Sequence, residues 1–346
     1  GDVPLIISVP QNKDEYFVKQ SLAKEVWEQA KADFKAASET LPIAYSSEFT
    51  GRATQGAALA YLGKACLYTN DWEGVITALT PLTKSPYTYK LVDNFGDNFV
   101  IATENNEESI FEVQFKDIPG ASFPNGFSAR MVAPAEAQGW YELFPTNKLF
   151  DAFQKEKTVD GELDPRMYAT LVWKYEGAMF YNRPFESLVL PFPQFKSWLK
   201  KYQNYDRDTE SIGLAGSLNM MDNNERIMRY DYVLMMLAEA HTMKNQLSEA
   251  HTYLKQIRTR AKLDENKTAS YNREQMMAEI QHQSMLEFAR ENQRFYDLRR
   301  WGILKQELLN SDKEGKEFYV EGKHDFFPIP QSEINANPAI EQNPYW

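Results

Sequence analysis

Glu287-Phe288-Ala289-Arg290-Glu291-Asn292-Gln293-Arg294-Phe295-Tyr296-Asp297-Leu298-Arg299-Arg300-Trp301-Gly302 is the stretch from which the rest of the chain is read. Met285 just before it, then Phe288, Phe295, Leu298 and Trp301, recur at steps of three, seven, three and three. That spacing draws one apolar stripe and predicts a helix. Glu287 and Arg290, Glu291 and Arg294, and Asp297 and Arg300 stand three apart, so each pair is expected to meet on the helix surface. Gly302 is expected as the C-cap. Arginine at this density beside aromatics points to guanidinium groups held against rings and carboxylates. Downstream, Phe327-Pro328-Ile329-Pro330-Gln331-Ser332-Glu333-Ile334 encloses one residue between two prolines. An extended, pinned terminus is expected there, closed again by Pro338 and Pro344.

The whole chain has 346 residues, 43% hydrophobic and 14% aromatic, enough for one large core or two coupled subdomains. Its net charge of −11, from 38 basic and 49 acidic residues, argues against nucleic acid as a partner, because phosphate neutralisation needs a basic surface. No apolar stretch approaches the roughly 18 residues of a membrane span. The longest apolar helical run, near Tyr232 to Ala240, is interrupted by Glu239. Gly1-Asp2-Val3-Pro4 lacks the charged start and apolar run of a signal peptide. The single cysteine, Cys66, excludes an intrachain disulfide and a cysteine-based zinc site, and reads as a small buried thiol.

Residues 15 to 42 predict an amphipathic helix, with Val26, Trp27, Ala30, Phe34 and Ala37 on one face and Leu41-Pro42 at its end. Residues 54 to 85 predict two short helices around Asn70-Asp71, with Trp72 after the turn. Residues 230 to 261 repeat that plan around Asn245-Gln246. Both units fit tetratricopeptide spacing. They lie about 175 residues apart, which excludes a continuous solenoid and favours a helical scaffold with a long insertion. The fold class is therefore read as mostly α: tetratricopeptide-like helix pairs with a long irregular insertion carrying short strands. The divisions are 1–85, 86–222 and 223–346. The insertion holds the alternating strand pattern Ser109-Ile110-Phe111-Glu112-Val113-Gln114-Phe115. It is otherwise rich in proline, glycine and aromatics, as in Phe123-Pro124-Asn125-Gly126-Phe127 and Pro191-Phe192-Pro193. Long loops with aromatic side chains on a rigid helical base are a common way to build a binding site.

Sugar rings pack their C–H faces on the π-faces of Trp and Tyr and leave hydroxyls for polar partners. The candidate ligand contacts are Trp140, Tyr141, Trp173 and Tyr175, then Trp198, Phe180 and Tyr181. Any one of them is more commonly a core residue. No catalytic set or metal site is assigned. His241, His251, His282 and His324 lack the spacing of a helical zinc motif, and phosphate-cradling glycine loops and nucleophile elbows are missing. Asn204, Asp206, Asp208 and Glu210 alternate oxygen ligands, but without the glycine and terminal glutamate of a calcium loop they read as a solvated acidic loop. Glu239, on an otherwise apolar face, needs a buried partner; Arg229, Arg294 or Arg299 is expected.

The C-terminal motifs resemble the SusD/RagB family, surface-exposed nutrient-binding lipoproteins of the outer membrane. Similar to family elements are Gly1-Asp2-Val3-Pro4-Leu5, the helix ending at Leu41-Pro42, Asp164-Pro165-Arg166, Lys201-Tyr202 and Arg226-Ile227-Met228-Arg229-Tyr230. The last leads into Leu237-Ala238-Glu239-Ala240, with Asp231-Tyr232 in place of the usual Ala-Asp order. The resemblance implies non-catalytic glycan binding and delivery to a SusC-like TonB-dependent transporter. It implies residence on the outer membrane through a lipid anchor absent from this chain, and no cofactor. It also implies that the chain is a fragment whose first helices and part of whose binding surface lie elsewhere. Two other classes remain open: a tetratricopeptide module binding peptide or protein, and a glycoside hydrolase. The first would show a concave polar helical groove with the insertion aromatics buried. The second would show two facing carboxylates in a cleft, one with a raised pKa.

Overall fold

Two helical hairpins far apart in sequence pack against each other and carry the rest. The computed structural model describes residues 1–116, 131–132, 140, 142–188, 194–203 and 223–346. Near the start, β1 (Val3–Pro4) pairs antiparallel with β2 (Gln20–Ser21). This pairing brings the Asp2 carboxylate to the Ala23 N–H, 2.8 Å away, while Glu25 accepts from the Leu22 N–H at 2.9 Å. Two orphan donors are thus satisfied at one point, and α1 begins there, as Ala23–Thr40 rather than at residue 15.

The first hairpin is α2 (Gln55–Tyr68) and α3 (Trp72–Leu79), capped by Thr54 on Ala57 N–H and by Asp71 on Gly74 N–H. Asn70 turns the chain at φ 57°. The helices approach so closely at Gly63 that an added Cβ would stand 2.3 Å from a Leu79 methyl. Gly63→Ala is therefore expected to lower folding stability by about 1–3 kcal/mol in urea titrations, the usual cost of overpacking. A loss below about 0.5 kcal/mol would mean that the helices separate freely.

Beyond α3, β3 (Ser109–Val113) opens an excursion that contains α4 (Asn147–Lys155), α5 (Pro165–Thr170), β4 (Leu171–Trp173), β5 (Met179–Phe180), β6 (Arg183–Pro184) and β7 (Ser197–Leu199). The excursion returns as β8 (Glu225–Arg229), which pairs antiparallel with β3 through Ser109↔Arg229 and Glu112↔Arg226. β4 pairs with β7, and β5 with β6. From β8 the chain enters α6 (Tyr230–Met243) and α7 (Leu247–Arg260), the second hairpin, turned by Asn245 at φ 60°. Every α6 residue from Tyr230 to Thr242 is buried. Leu67, Val75 and Leu79 of the first hairpin share one core with Val233, Leu237, Leu254 and Ile257 of the second. The mostly helical scaffold with a strand-bearing insertion is the architecture that the sequence predicts. Among the described residues no helix is long and apolar enough to cross a membrane.

The stretch that opened the sequence reading is not one helix. α8 (Arg273–Glu287) stops, and α9 (Arg294–Arg300) starts anew. Arg290 and Asn292 between them take φ values of 64° and 60°. The carboxylates at the break are both held by buried cations. Glu287 turns to Arg166 and Arg260, and Glu291 to Arg229 and Lys201. Of the three expected pairs at spacing three, Asp297–Arg300 forms at 2.8 Å; Arg294 instead binds Glu307 of α10 (Leu304–Leu309) at 3.0 Å. Gly302, at φ 72°, does close α9: its N–H bonds Arg299 O while Ile303 N–H bonds Leu298 O, the paired bonds of a Schellman end. The proline segment is also corrected. It has no regular structure only to Pro330, which caps the short α11 (Gln331–Ala336), because proline fits a helix start as readily as it stops one.

Candidate functional site

The excursion has small cores of its own, and they decide which aromatics can meet a ligand. β4 is covered on both faces. Leu171 and Trp173 point into a core with Leu149, Phe153, Met167 and Leu286. Val172 points the other way, beside Trp198, Phe180, Tyr181 and Phe185. Trp173, 6% exposed, and Phe180, Tyr181 and Trp198, all at 2% or less, are therefore packing residues. The expectation of displayed rings is corrected at these four positions, because alternation along a strand covered on both sides buries both sets of side chains. Tyr181 also donates its hydroxyl to Gln203 Oε1 at 2.9 Å. Trp140 is 47% exposed, and Tyr175 is half-buried. Tyr141 and the acidic loop Asn204, Asp206, Asp208 and Glu210 lie outside the described residues.

An exposed ring that the sequence reading passed over completes the surface. α5 opens with Asp164 as cap, accepting from Arg166 N–H at 2.9 Å, and with Pro165 in its first position. The Arg166 guanidinium is clamped by Asp164, by Glu287 at 2.9 Å and by Gln283 at 2.7 Å, which anchors α5 to α8. Two residues on, Tyr168 faces outward, 40% exposed. Its ring centroid lies 5.1 Å from Trp173 and 5.7 Å from Tyr175, with the two tyrosine planes at 89°. Trp173 packs beneath both, 4.6 Å from Tyr175. Tyr175 is fixed by the turn that follows, where its carbonyl accepts from Ala178 N–H at 3.0 Å and Gly177 takes φ 76°. Burial pushes the Tyr175 phenol upward, so at neutral pH it offers a neutral hydroxyl. Two right-angled phenols on an indole base thus form a corner. Beside it stand the exposed pairs Lys174–Glu186 at 3.1 Å and Lys196–Asp151 at 2.6 Å, and Lys200 Nζ donates to Tyr168 O at 3.0 Å. Surface pairs of this kind contribute little to stability and can exchange partners with ligand hydroxyls.

A second concave surface belongs to the scaffold. Trp27, Phe34, Tyr61, Tyr68 and Tyr296 line a groove of about 430 Å³ between α1, α2 and the turn into α9. Lys64 on its wall is pushed down to about 8 by burial and donates to Gln293 Oε1 at 3.0 Å.

Several other ionisable groups are bound within the fold. Glu239 is held by Arg300, with Nη2 to Oε2 at 2.7 Å, and by Trp301 Nε1 at 2.9 Å. This replaces the expected Arg229, Arg294 or Arg299: Arg300 faces α6, whereas Arg299 sits on the Phe326 ring, 4.3 Å from its centroid. His282 bonds Glu156 at 2.7 Å, and His241 bonds Gln246 at 2.8 Å. Among the described residues, the carboxylates with raised pKa are Asp231 and Asp297, both raised chiefly by burial and neither open to a cleft.

The SusD family model matches residues 107–346. A crystal structure of a SusD superfamily protein from Bacteroides vulgatus superposes with a TM-score of 0.86 at 37% identity, covering 100% of this chain and 73% of that one. Surface glycan-binding protein A from Bacteroides thetaiotaomicron, in complex with laminarihexaose, superposes with a TM-score of 0.72 at 24% identity over 94% of this chain and 72% of that one. A SusD-like protein of Formosa agariphila is 25% identical over 336 residues, 89% of this chain. The chain spans 62% of the length of that curated relative.

Proposed function

Since the chain belongs to the SusD family, we propose that it forms part of a non-catalytic, cell-surface glycan-binding protein. The observation that carries the site is the corner made by Tyr168 and Tyr175 over Trp173, with exposed Trp140 as a further ring of the same insertion. Tyrosine and tryptophan suit sugars because they join an apolar face to a polar tip. The rings are held by packed neighbours, so binding demands little ordering of the protein. The laminarihexaose complex of the Bacteroides thetaiotaomicron relative supports a glycan as the ligand class. The protein hands its ligand to a SusC-like TonB-dependent transporter in the outer membrane, where a lipid anchor holds it. The reading needs no cofactor, since nothing is transformed.

The test is a calorimetric screen of polysaccharides and oligosaccharides, followed by Tyr168→Ala, Tyr175→Ala and Trp140→Ala. Removing a ring that stacks on sugar is expected to weaken binding by about 1–3 kcal/mol, by analogy with aromatic stacking on bases. Unchanged affinity in all three variants discards this surface. Release of shorter sugars during the screen discards the non-catalytic reading.

One observation favours a second reading. Four of the insertion aromatics are buried, as expected of a peptide-binding module, and the scaffold offers a groove, lined with rings where that module was expected to be polar. Peptide binding that is abolished by Tyr61→Ala and untouched by Tyr175→Ala would establish it.

A further inference from the structure

Where the excursion meets the scaffold, three buried carboxylates crowd together. Ligand oxygens of Glu108, Asp231 and Glu287 lie within 4.8 Å of one another, all out of contact with solvent. Each comes from a different element: Glu108 precedes β3, Asp231 opens α6, and Glu287 ends α8. The cations that answer them are Arg229 from β8 and Arg260 from the end of α7. Arg166 reaches Glu287 as well, but its guanidinium is shared with Asp164, and Arg229 is shared with Glu291. With the shared partners counted, five carboxylates (Glu108, Asp231, Glu287, Asp164 and Glu291) meet four cations (Arg229, Arg260, Arg166 and Lys201). Burying an unbalanced charge is costly enough that a group takes up a proton instead.

The hydrogen bonds single out one seat for that proton. Glu108 accepts from Arg229 at 2.7 Å, from Arg260 at 3.0 and 2.9 Å, and from Val92 N–H at 2.8 Å. Glu287 accepts from Arg166 at 2.9 Å and from Arg260. Asp231 Oδ1 accepts from Tyr232 N–H at 2.7 Å. Its Oδ2 touches Arg229 and lies 3.9 Å from Arg260, yet makes no hydrogen bond of proper geometry.

We propose that the folded protein keeps Asp231 protonated, with its carboxyl hydrogen donated to Glu287, so that folding takes up one proton at neutral pH. Burial pushes the Asp231 carboxyl far above the usual range; Arg229 opposes this, and Glu108 and Glu287 add to it. In the unfolded chain an aspartate releases its proton near pH ~3.9. Above that pH the unfolded state binds fewer protons than the folded one at this site, so its contribution to stability falls as pH rises. The proton thereby locks the junction between insertion and scaffold, and alkali loosens it.

The test compares the natural residue with Asp231→Asn, whose amide accepts from Tyr232 N–H and donates to Glu287 without titrating. Urea unfolding at pH 5.5, 6.5, 7.5 and 8.5 is expected to show the variant gaining on the unmodified protein by about tenfold in the folding constant per pH unit, up to the pH at which the folded protein releases the proton. The protonated-carboxyl band in the infrared spectrum at neutral pH is expected to weaken in the variant. A stability difference that stays constant across this range overturns the proposal. Because Asp231 Oδ2 also touches Arg229, where an amide nitrogen cannot accept, a variant that fails to fold leaves the decision to the unmodified protein: absence of a protonated-carboxyl band at neutral pH overturns the proposal. Asp297, also pushed up by burial, contributes equally to both proteins and cancels in the comparison.

Discussion

Glu287→Ala is expected to cost about 3–5 kcal/mol of folding stability, the range for breaking a buried ion pair. The reason is what remains. Arg166, wholly buried, would keep Asp164 as its one carboxylate beside the Gln283 amide, and Arg260 would keep Glu108. Two guanidiniums would share less than their charge requires, in a place water does not reach. Glu287→Gln keeps the shape and some hydrogen bonds, so a smaller loss is expected; urea midpoints of the two variants separate charge from packing. A loss below about 1 kcal/mol for the alanine variant would show that the junction relaxes around the missing carboxylate. The same site has a pH signature opposite in sign to that of Asp231. Burial alone would raise Glu287, but Arg260 and Arg166 hold it well below the carboxylate range, and Arg229 and Lys201 likewise lower Glu291. The stability they supply is fully present above the unfolded value of about 4.3 and is lost as pH falls through their folded values.

Trp198→Ala is expected to cost about 3–5 kcal/mol, the usual loss for truncating a core aromatic. Trp140→Ala is expected to change stability by about 0.5 kcal/mol or less, as surface substitutions do. Trp198 is 2% exposed and meets the Phe185 ring at 5.4 Å, edge to face, inside the second core of the insertion. Thermal melts and ligand titrations on both variants give a crossed result: Trp198→Ala moves the melting temperature, and Trp140→Ala moves affinity. Equal melting temperatures would mean that Trp198 is not part of a cooperative core, and the division between packing rings and binding rings would fall with it.

Much of this architecture was legible because hairpin turns and helix periodicity are local. Asn70-Asp71 and Asn245-Gln246 carried the two helix pairs, and Gly302 carried its left-handed cap. The rest depends on partners far along the chain. Nothing within Glu287–Arg294 reveals that Glu287 will meet Arg166, 121 residues upstream, or that the chain turns through positive φ at Arg290 and Asn292. The strand Leu171–Trp173 reads like any aromatic-rich loop until both its faces are seen to be covered. Tyr168 was passed over for the same reason in reverse: its exposure follows from Arg166 being pinned, which only the fold supplies.

The pairing of β3 with β8 places the two ends of the insertion side by side, at neighbouring strand spacing. Chain leaves and re-enters the helical body at a single doorway. Lengthening or swapping what lies between costs the helices little, since loop closure grows only slowly with length. The doorway has one toll, set by chemistry: any transplanted cassette must carry its own guanidinium to where Arg166 meets Glu287, or that buried carboxylate keeps Arg260 as its one close cation.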